Sequence, residues 1–477
     1  MRRGGKESPA SLHARVWDAS VCSKVHEATL QVLETAGVKM MHAGALQLME
    51  AAGAVVEGTC VRIPRALVER ALATVAGRCV VKPRGGESEP LVVAPGNTYF
   101  GTGPDCLYVC DVETGERRRA RLDDVARAAA LAEKLANIDF VMSMALPEDV
   151  DAQAVDLLQF AEMIKATRKP IVVSSPFGGA SLRTMRAMAA LCGEAESFAC
   201  LTMSSPPLML DEVACDKTLV CAELGVPLIL APSPSAGVSA PASLAAVAVV
   251  ANAEVLAGLV LHQLAQPGAP FVYGAGIAVF NMGTMVDAYL PPGVLLGDQA
   301  AVDLAYYYGL PSWSYAGCSD SKVLDEQWAL ELGVTTLMGA LSRATLLHDV
   351  GYLESGLQGS LEAMVLGDEM VGYARALLDE LDVDDEALQL DEIIAVGPGG
   401  SHLARPFTRR HFRRFWQPRL LDQSVHERWQ AAGATTLRER VRTRTRALLS
   451  EAAALVVDAQ TALRLDHMAL DGALDRQ

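Results

Sequence analysis

The chain predicts an α/β protein: a (β/α)8 TIM barrel with an N-terminal mostly helical cap and a C-terminal helical extension. Three observations carry this. Between about residues 98 and 380 a short apolar run is followed by a longer helical pattern eight times over. The runs are nearly continuous in apolar residues, as strands buried on both faces of a parallel sheet are. Eight units over that span is the number and length that close a barrel.

The elements follow in order. Residues 1–95 read as the cap, with helical periodicity at 25–36 and 45–52 and a short strand at 60–63. Pro64 then stands where proline favours a helix start, leading into 65–75. Residues 84–87 read as a loop and 91–93 as a strand. Residues 96–384 form the barrel. Its strands are expected at 98–102, 139–144, 170–174, 199–204, 227–231, 270–274, 312–317 and 346–350. The helices after them are expected at 123–135, 152–166, 182–191, 211–224, 243–264, 298–309, 325–343 and 361–378. Two irregularities interrupt the rhythm. A β-hairpin is inserted at 105–121 around Glu113-Thr114-Gly115-Glu116, and a long Gly/Pro/Met loop occupies 275–297, a length that in compact domains usually serves function. Residues 385–477 form the extension, with a basic-aromatic stretch at 411–416, read as a packed tail, and an Arg-rich helix at 435–457.

Composition narrows the function classes. The chain has 477 residues, 51% of them hydrophobic, and a formal net charge of −16. That sign repels phosphate backbones and anionic lipid, so neither nucleic acid nor a membrane surface is an expected partner. The most apolar stretch, 244–265, contains Asn252, Glu254, His262 and Gln263 and reads as a buried helix. No apolar region follows the basic start, and the ten cysteines are scattered without a CxxC pair, which points to reduced thiols in the cytoplasm.

In such barrels chemistry sits at the C-terminal strand ends. The first strand ends in Tyr99-Phe100-Gly101-Thr102-Gly103 and the sixth in Tyr273-Gly274-Ala275-Gly276. The seventh runs into Gly317-Cys318-Ser319-Asp320-Ser321-Lys322, with Trp313 and Tyr315 just before. The eighth runs from His348 to Tyr352-Leu353-Glu354. Aromatics, carboxylates, a lysine and a histidine together suit a small polar or cationic substrate. Each also has a structural reading: His348 as a bonded core histidine, Asp320 and Lys322 as a solvated pair, the aromatics as packing. Glu354 is favoured over Glu331, which lies within a helical run. The glycines at 101–103 and 397–400 match no phosphate-loop pattern. No HExxH occurs, and Cys318 with His348 is a weak basis for zinc. Met142, Met144, Met203 and Met209 read as barrel lining.

Several segments, in order, carry a family resemblance. They include Val32-Leu33-Glu34-Thr35-Ala36-Gly37-Val38, Asp111-Val112-Glu113-Thr114-Gly115-Glu116, Ser319-Asp320-Ser321-Lys322, Gly351-Tyr352-Leu353-Glu354-Ser355-Gly356, Gly397-Pro398-Gly399-Gly400 and Trp416-Gln417-Pro418. With them the chain resembles the trimethylamine–corrinoid methyltransferase family over nearly its whole length. The resemblance implies a barrel that presents a methylated amine to a corrinoid (cobalamin) carried by a separate small protein, with no cofactor tightly bound to this chain. Founding members carry pyrrolysine near the mouth, placed close to the end of strand seven. Only standard residues occur here, which directs the reading to the non-pyrrolysine branch acting on quaternary amines such as glycine betaine. A quaternary ammonium that loses a methyl leaves as a neutral amine and needs no proton, so the protein supplies orientation and a cation-tolerant pocket. Aromatic faces hold such cations for roughly 0.5 to 2 kcal/mol per ring. The supply is Tyr99, Tyr273, Trp313, Tyr315 and Tyr352. Asp320 and Glu354 add negative charge, and Lys322 and His348 are donors for a betaine carboxylate. His348 and Asp320 are the catalytic candidates. The alternatives are a non-catalytic methylated-amine-binding barrel, a tertiary-amine methyltransferase of the trimethylamine type, and an unrelated zinc barrel enzyme. A homo-oligomer is the expected assembly.

Overall fold

Parallel backbone pairing runs around a closed circuit of eight segments in the computed structural model, which describes residues 12–85, 89–452 and 455–476. Tyr99–Phe100 leads, through a bridge from Gly101 to Phe140, to the second segment, and Val141 bridges to Ile171–Ser174. Continuous ladders then join Ile171–Ser174, Phe198–Thr202, Leu228–Leu230 and Phe271–Tyr273. A bridge from Tyr273 to Ser312 reaches Trp313–Tyr315, which pairs with Leu346–His348, and Leu346 pairs back with Tyr99. The expected strand at 139–144 is reduced to those two bridges. Met144 there takes a left-handed backbone, φ 61°, which ends strand geometry.

A helix follows each segment, and most bounds lie within a few residues of expectation: Leu122–Lys134, Val155–Ala166, Gly179–Leu191, Glu212–Leu224, Leu244–Ala265, Pro292–Tyr308, Glu326–Ser342 and Leu361–Leu377. Asp211 and Asp325, expected inside their helices, cap them from extended backbone and accept from the amides of Ala214 and Trp328. The sixth helix starts at Pro292, earlier than expected, because proline at the first helical position has no amide to leave unpaired. Leu244–Ala265 is buried through most of its length, Asn252, Glu254 and His262 included. Its Asn252 amide donates to Thr29 Oγ1 of the N-terminal helix Ala19–Thr35 at 2.9 Å.

Side chains alternate across the ring wall, as strand geometry requires. Val172, Leu201, Ile229, Val272, Trp313 and Leu346 fill the lumen. Val173, Cys200, Leu230, Phe271 and Tyr273 face the helices. An antiparallel hairpin, Cys79–Val81 with Leu91–Val93, inserts Val81, Leu91 and Val93 into the lumen cluster. It sits at the N-terminal end, where Lys82 and Arg84 amides bond the carbonyls of Glu196 and Arg168 just before strands four and three.

Around the opposite end, the hairpin expected at 105–121 pairs Tyr108–Cys110 with Arg117–Arg119, and Gln358–Ser360 adds a parallel third strand. The long loop holds a hairpin of its own, Ala278–Asn281 with Val286–Asp287. The Arg-rich helix is shorter than expected, Leu437–Glu451, and a further helix, Ala459–Leu474, packs against the second and third outer helices. The 411–416 stretch packs only in part: Phe412 and Phe415 are exposed, whereas Trp416 lies against Tyr373.

Candidate active site at the C-terminal mouth

Trp313 and Leu346 face each other across one rung of strands seven and eight, and Tyr315 and His348 across the next rung toward the mouth. His348 therefore lies above Trp313, and the rings stack at 4.4 Å and 12°. Phe140 packs on Trp313 at 5.9 Å. The imidazole Nδ1 is 2.5 Å from Asp349 Oδ1, so the Nδ1–H tautomer donates to the carboxylate. That leaves Nε2 of a partly exposed ring without a hydrogen-bond partner among the described residues. Asp349 is buried and adopts φ 74°, a conformation costing on the order of 1 kcal/mol or more that persists where surroundings enforce it.

Tyr289, from the long loop, supplies Asp349's second partner, its hydroxyl donating to Oδ2 at 2.9 Å. Burial and the neighbouring Asp349 push the Tyr289 hydroxyl well above its ordinary pKa, which keeps it a donor. Its ring lies 5.1 Å from that of Tyr315, and the Tyr315 hydroxyl donates to the Tyr289 carbonyl at 2.9 Å. Both residues are half-buried. Asp320 locks this loop: it accepts from the amides of Tyr289 and Leu290 at 2.9 and 3.0 Å and from Ser355 Oγ at 2.8 Å.

Strand one brings a third group. Gly103 passes so close that a Cβ would lie 2.2 Å from Asp349 Oδ1 and 2.3 Å from the Tyr352 ring, so only glycine fits. Two residues on, Asp105 is half-buried with φ 57°. Its Oδ1 accepts from Ser143 Oγ and Gln159 Nε2, each at 2.9 Å. Burial pushes its carboxyl above the ordinary range, against those hydrogen bonds. Among the described residues Asp105 forms no ion pair.

The expected site residues divide. His348 and Tyr315 stand at the mouth. Trp313 lies one rung below, its face covered by His348. Asp320 is a loop anchor with three donors already on it. Tyr99 is a correction: it sits at the closed end, its hydroxyl accepting from the Val92 amide at 3.1 Å. Tyr273 is another: it faces outward and donates to Asn252 Oδ1 at 3.0 Å. Tyr352 is buried and bonds the Pro104 carbonyl. Glu354 is engaged in a two-pronged pair with Arg117, at 2.6 and 3.0 Å, that clamps the 108–119 hairpin. Lys322 is exposed and donates to the Asp320 carbonyl at 2.8 Å. Of the methionines, Met142 lines the lumen, Met144 packs into the outer core, Met203 is exposed, and Met209 pairs with Lys39 of the N-terminal strand. Among the described residues no three His, Cys, Asp or Glu side chains group as metal ligands.

Asp105 and Tyr289 were missed. Asp105 had a signal, an acid two residues beyond a strand-end glycine, but it reads equally as the start of the hairpin. Tyr289 lies in the long loop whose length suggests function, with nothing local to single it out.

The geometry can be set beside known proteins. A family model described as trimethylamine methyltransferase (MTTB) matches residues 11–469. The glycine betaine methyltransferase of Desulfitobacterium hafniense strain Y51 is 30% identical over 415 residues, 85% of this chain and 86% of that protein. The trimethylamine methyltransferase MttB of Desulfitobacterium hafniense DCB-2 is 29% identical over 427 residues, 87% and 85% of the two chains. Among solved structures, the monomethylamine methyltransferase MtmB of Methanosarcina barkeri superposes with a TM-score of 0.51 at 11% identity, covering 93% of this chain and 89% of that one, a likeness of fold alone. With the family model spanning nearly its full length, the chain belongs to the trimethylamine methyltransferase (MTTB) family.

Proposed function

We propose that this chain is a methyltransferase that takes a methyl group from a quaternary amine of the betaine type and passes it to a corrinoid held by a separate protein. The closed circuit serves as a (β/α)8 catalytic barrel, with 1–95 as cap, 96–384 as barrel and 385–477 as extension. The observation that carries the substrate reading is Asp105: a half-buried carboxylate at the mouth with hydroxyl and amide partners but, among the described residues, no ion pair. A fixed positive charge brought beside it restores the ionised form that burial disfavours. The rings of the half-buried Tyr289 and Tyr315 would add cation–π attraction of about 0.5 to 2 kcal/mol each.

The remaining residues orient. His348, steadied by Asp349 and stacked on Trp313, directs Nε2 as the group to bond a substrate carboxylate when protonated. Phe140 and Trp313 form a floor that keeps water from beneath the substrate. No residue has to move a proton, since a quaternary nitrogen departs as a neutral amine. The partner's corrinoid, when presented, supplies a nucleophilic Co(I). Met203, Met282 and Met285, exposed on the loops after strands four and six, offer apolar surface that fits the face of such a macrocycle. All ten cysteines are free, which supports a reducing cytoplasmic setting.

A tertiary methylamine is the second reading, favoured by relatives named trimethylamine methyltransferases. Co(I) cobalamin with this protein and each candidate amine, followed by absorbance, separates the two. Methylation with glycine betaine, proline betaine, carnitine or choline, and none with trimethylamine, is the expected result. Turnover of trimethylamine alone moves the assignment to the second reading. Tight betaine binding by calorimetry without methylation leaves a binding barrel.

A further inference from the structure

From Asp379 to Arg419 not one residue is buried, although the run is rich in large apolar side chains. Leu381 is 88% exposed, Val383 75%, Ile394 68%, Leu403 83% and Phe415 73%. Both ends are fixed. Leu378, at the end of helix Leu361–Leu377, is buried, and Glu369 Oε1 of that helix accepts from the amides of Arg419 and Leu420 at 2.6 and 2.9 Å. Trp416 packs edge-on against Tyr373 at 5.4 Å. The run is thus a tethered outgrowth of short helices, Asp385–Leu388, Leu390–Val396 and Pro406–His411, with its apolar side chains turned to solvent. Exposed apolar area on this scale marks an interaction surface.

Charge identifies the occupant. Residues 379–392 contain eight Asp or Glu and no Lys or Arg, whereas 402–419 contain six Arg and no Asp or Glu. Between the halves, Glu392 lies 3.8 Å from Arg405 and 3.9 Å from His402. A surface that is acidic and apolar on one half, basic and apolar on the other, complements itself when rotated by a two-fold axis. We infer that residues 379–419 are a self-association surface, on which a second copy of this chain packs about a two-fold axis, the acidic half of each against the arginine half of the other. An interface of ordinary size covers about 800 Å² per partner, within the scope of an exposed run of this length. The inference is independent of the amine reading.

Sedimentation velocity on the full chain tests it. The unmodified protein should sediment as a dimer or an even-numbered assembly. Glu386→Lys with Asp391→Lys makes an acid-reversed form, and Arg409→Glu with Arg410→Glu a base-reversed form. Each alone faces like charge on like charge and should weaken self-association by about tenfold or more. Mixed in equal amounts, the two should recover a mixed dimer. Leu381→Ser with Leu403→Ser should also dissociate the assembly while circular dichroism stays unchanged. A monomeric or odd-numbered native protein overturns the inference. So does full association of each reversed form, or failure of the mixture to restore the dimer; in that last case loss of corrinoid-protein binding by the reversed forms would identify a different partner.

Discussion

The two sides of the barrel mouth are built on opposite principles. On the side of strands seven and eight the acids are answered by several groups: Asp349 by His348 and Tyr289, Asp320 by two amides and a hydroxyl, Glu354 by Arg117. Charge there is spent on holding aromatic rings and an imidazole in place. On the side of strands one to three, Asp105 is held by neutral groups and, among the described residues, forms no ion pair. The difference teaches that Asp105, pushed up by burial and held by two neutral side chains, is a better ligand candidate than the acids that anchor loops and the imidazole. An acid already satisfied by several donors gains little from a substrate and loses much if disturbed.

Asp105→Asn is the strongest way to break this comparison. It should raise KM for a betaine by about 10- to 100-fold, with a smaller change in kcat. The binding form is the carboxylate, and burial pushes its pKa up. Asp156 acts on it in the same sense, although Arg476 lies 3.2 Å from Asp156. Betaine binding in the unmodified enzyme should therefore weaken as pH falls, starting above the ordinary carboxylate range, and the Asn variant should show no such dependence. An unchanged KM would remove Asp105 from the site.

His348→Ala comes next. It deletes the group above Trp313 while leaving the buried floor, and turnover should fall about tenfold with thermal unfolding nearly unchanged. Native activity in that variant would make the histidine a packing residue. The smallest effect belongs to Lys322→Ala: its ammonium is exposed and bonds only a neighbouring carbonyl, so stability should shift by less than about 0.5 kcal/mol. KM for betaine should stay within about twofold, a change that only a direct bond to substrate would exceed. A large KM change there would mean that the lysine swings onto the substrate carboxylate.

Much of the fold was legible because its signals are local. Apolar runs and helical periodicity located the alternating units, and Pro64 marked a helix start that the structure keeps, with Arg65–Thr74 following it. The site was less legible for two reasons. Which face a strand residue occupies depends on register: Tyr273 and Val272 are neighbours in sequence, yet one points at Asn252 and the other into the lumen. Height in the ring matters equally, since Tyr99 opens its strand and lies a full layer below the groups at the mouth. The meeting of Tyr289 with Asp349 joins loops sixty residues apart. No local pattern encodes such a meeting.

The small hairpin at the N-terminal end has one more bearing. With Val81, Leu91 and Val93 lodged in the lumen and Tyr99 tied to Val92, the described residues close the N-terminal end. On the proposed reaction, amine and carrier would approach by the same opposite end, and the carrier would have to step aside before the demethylated amine departs.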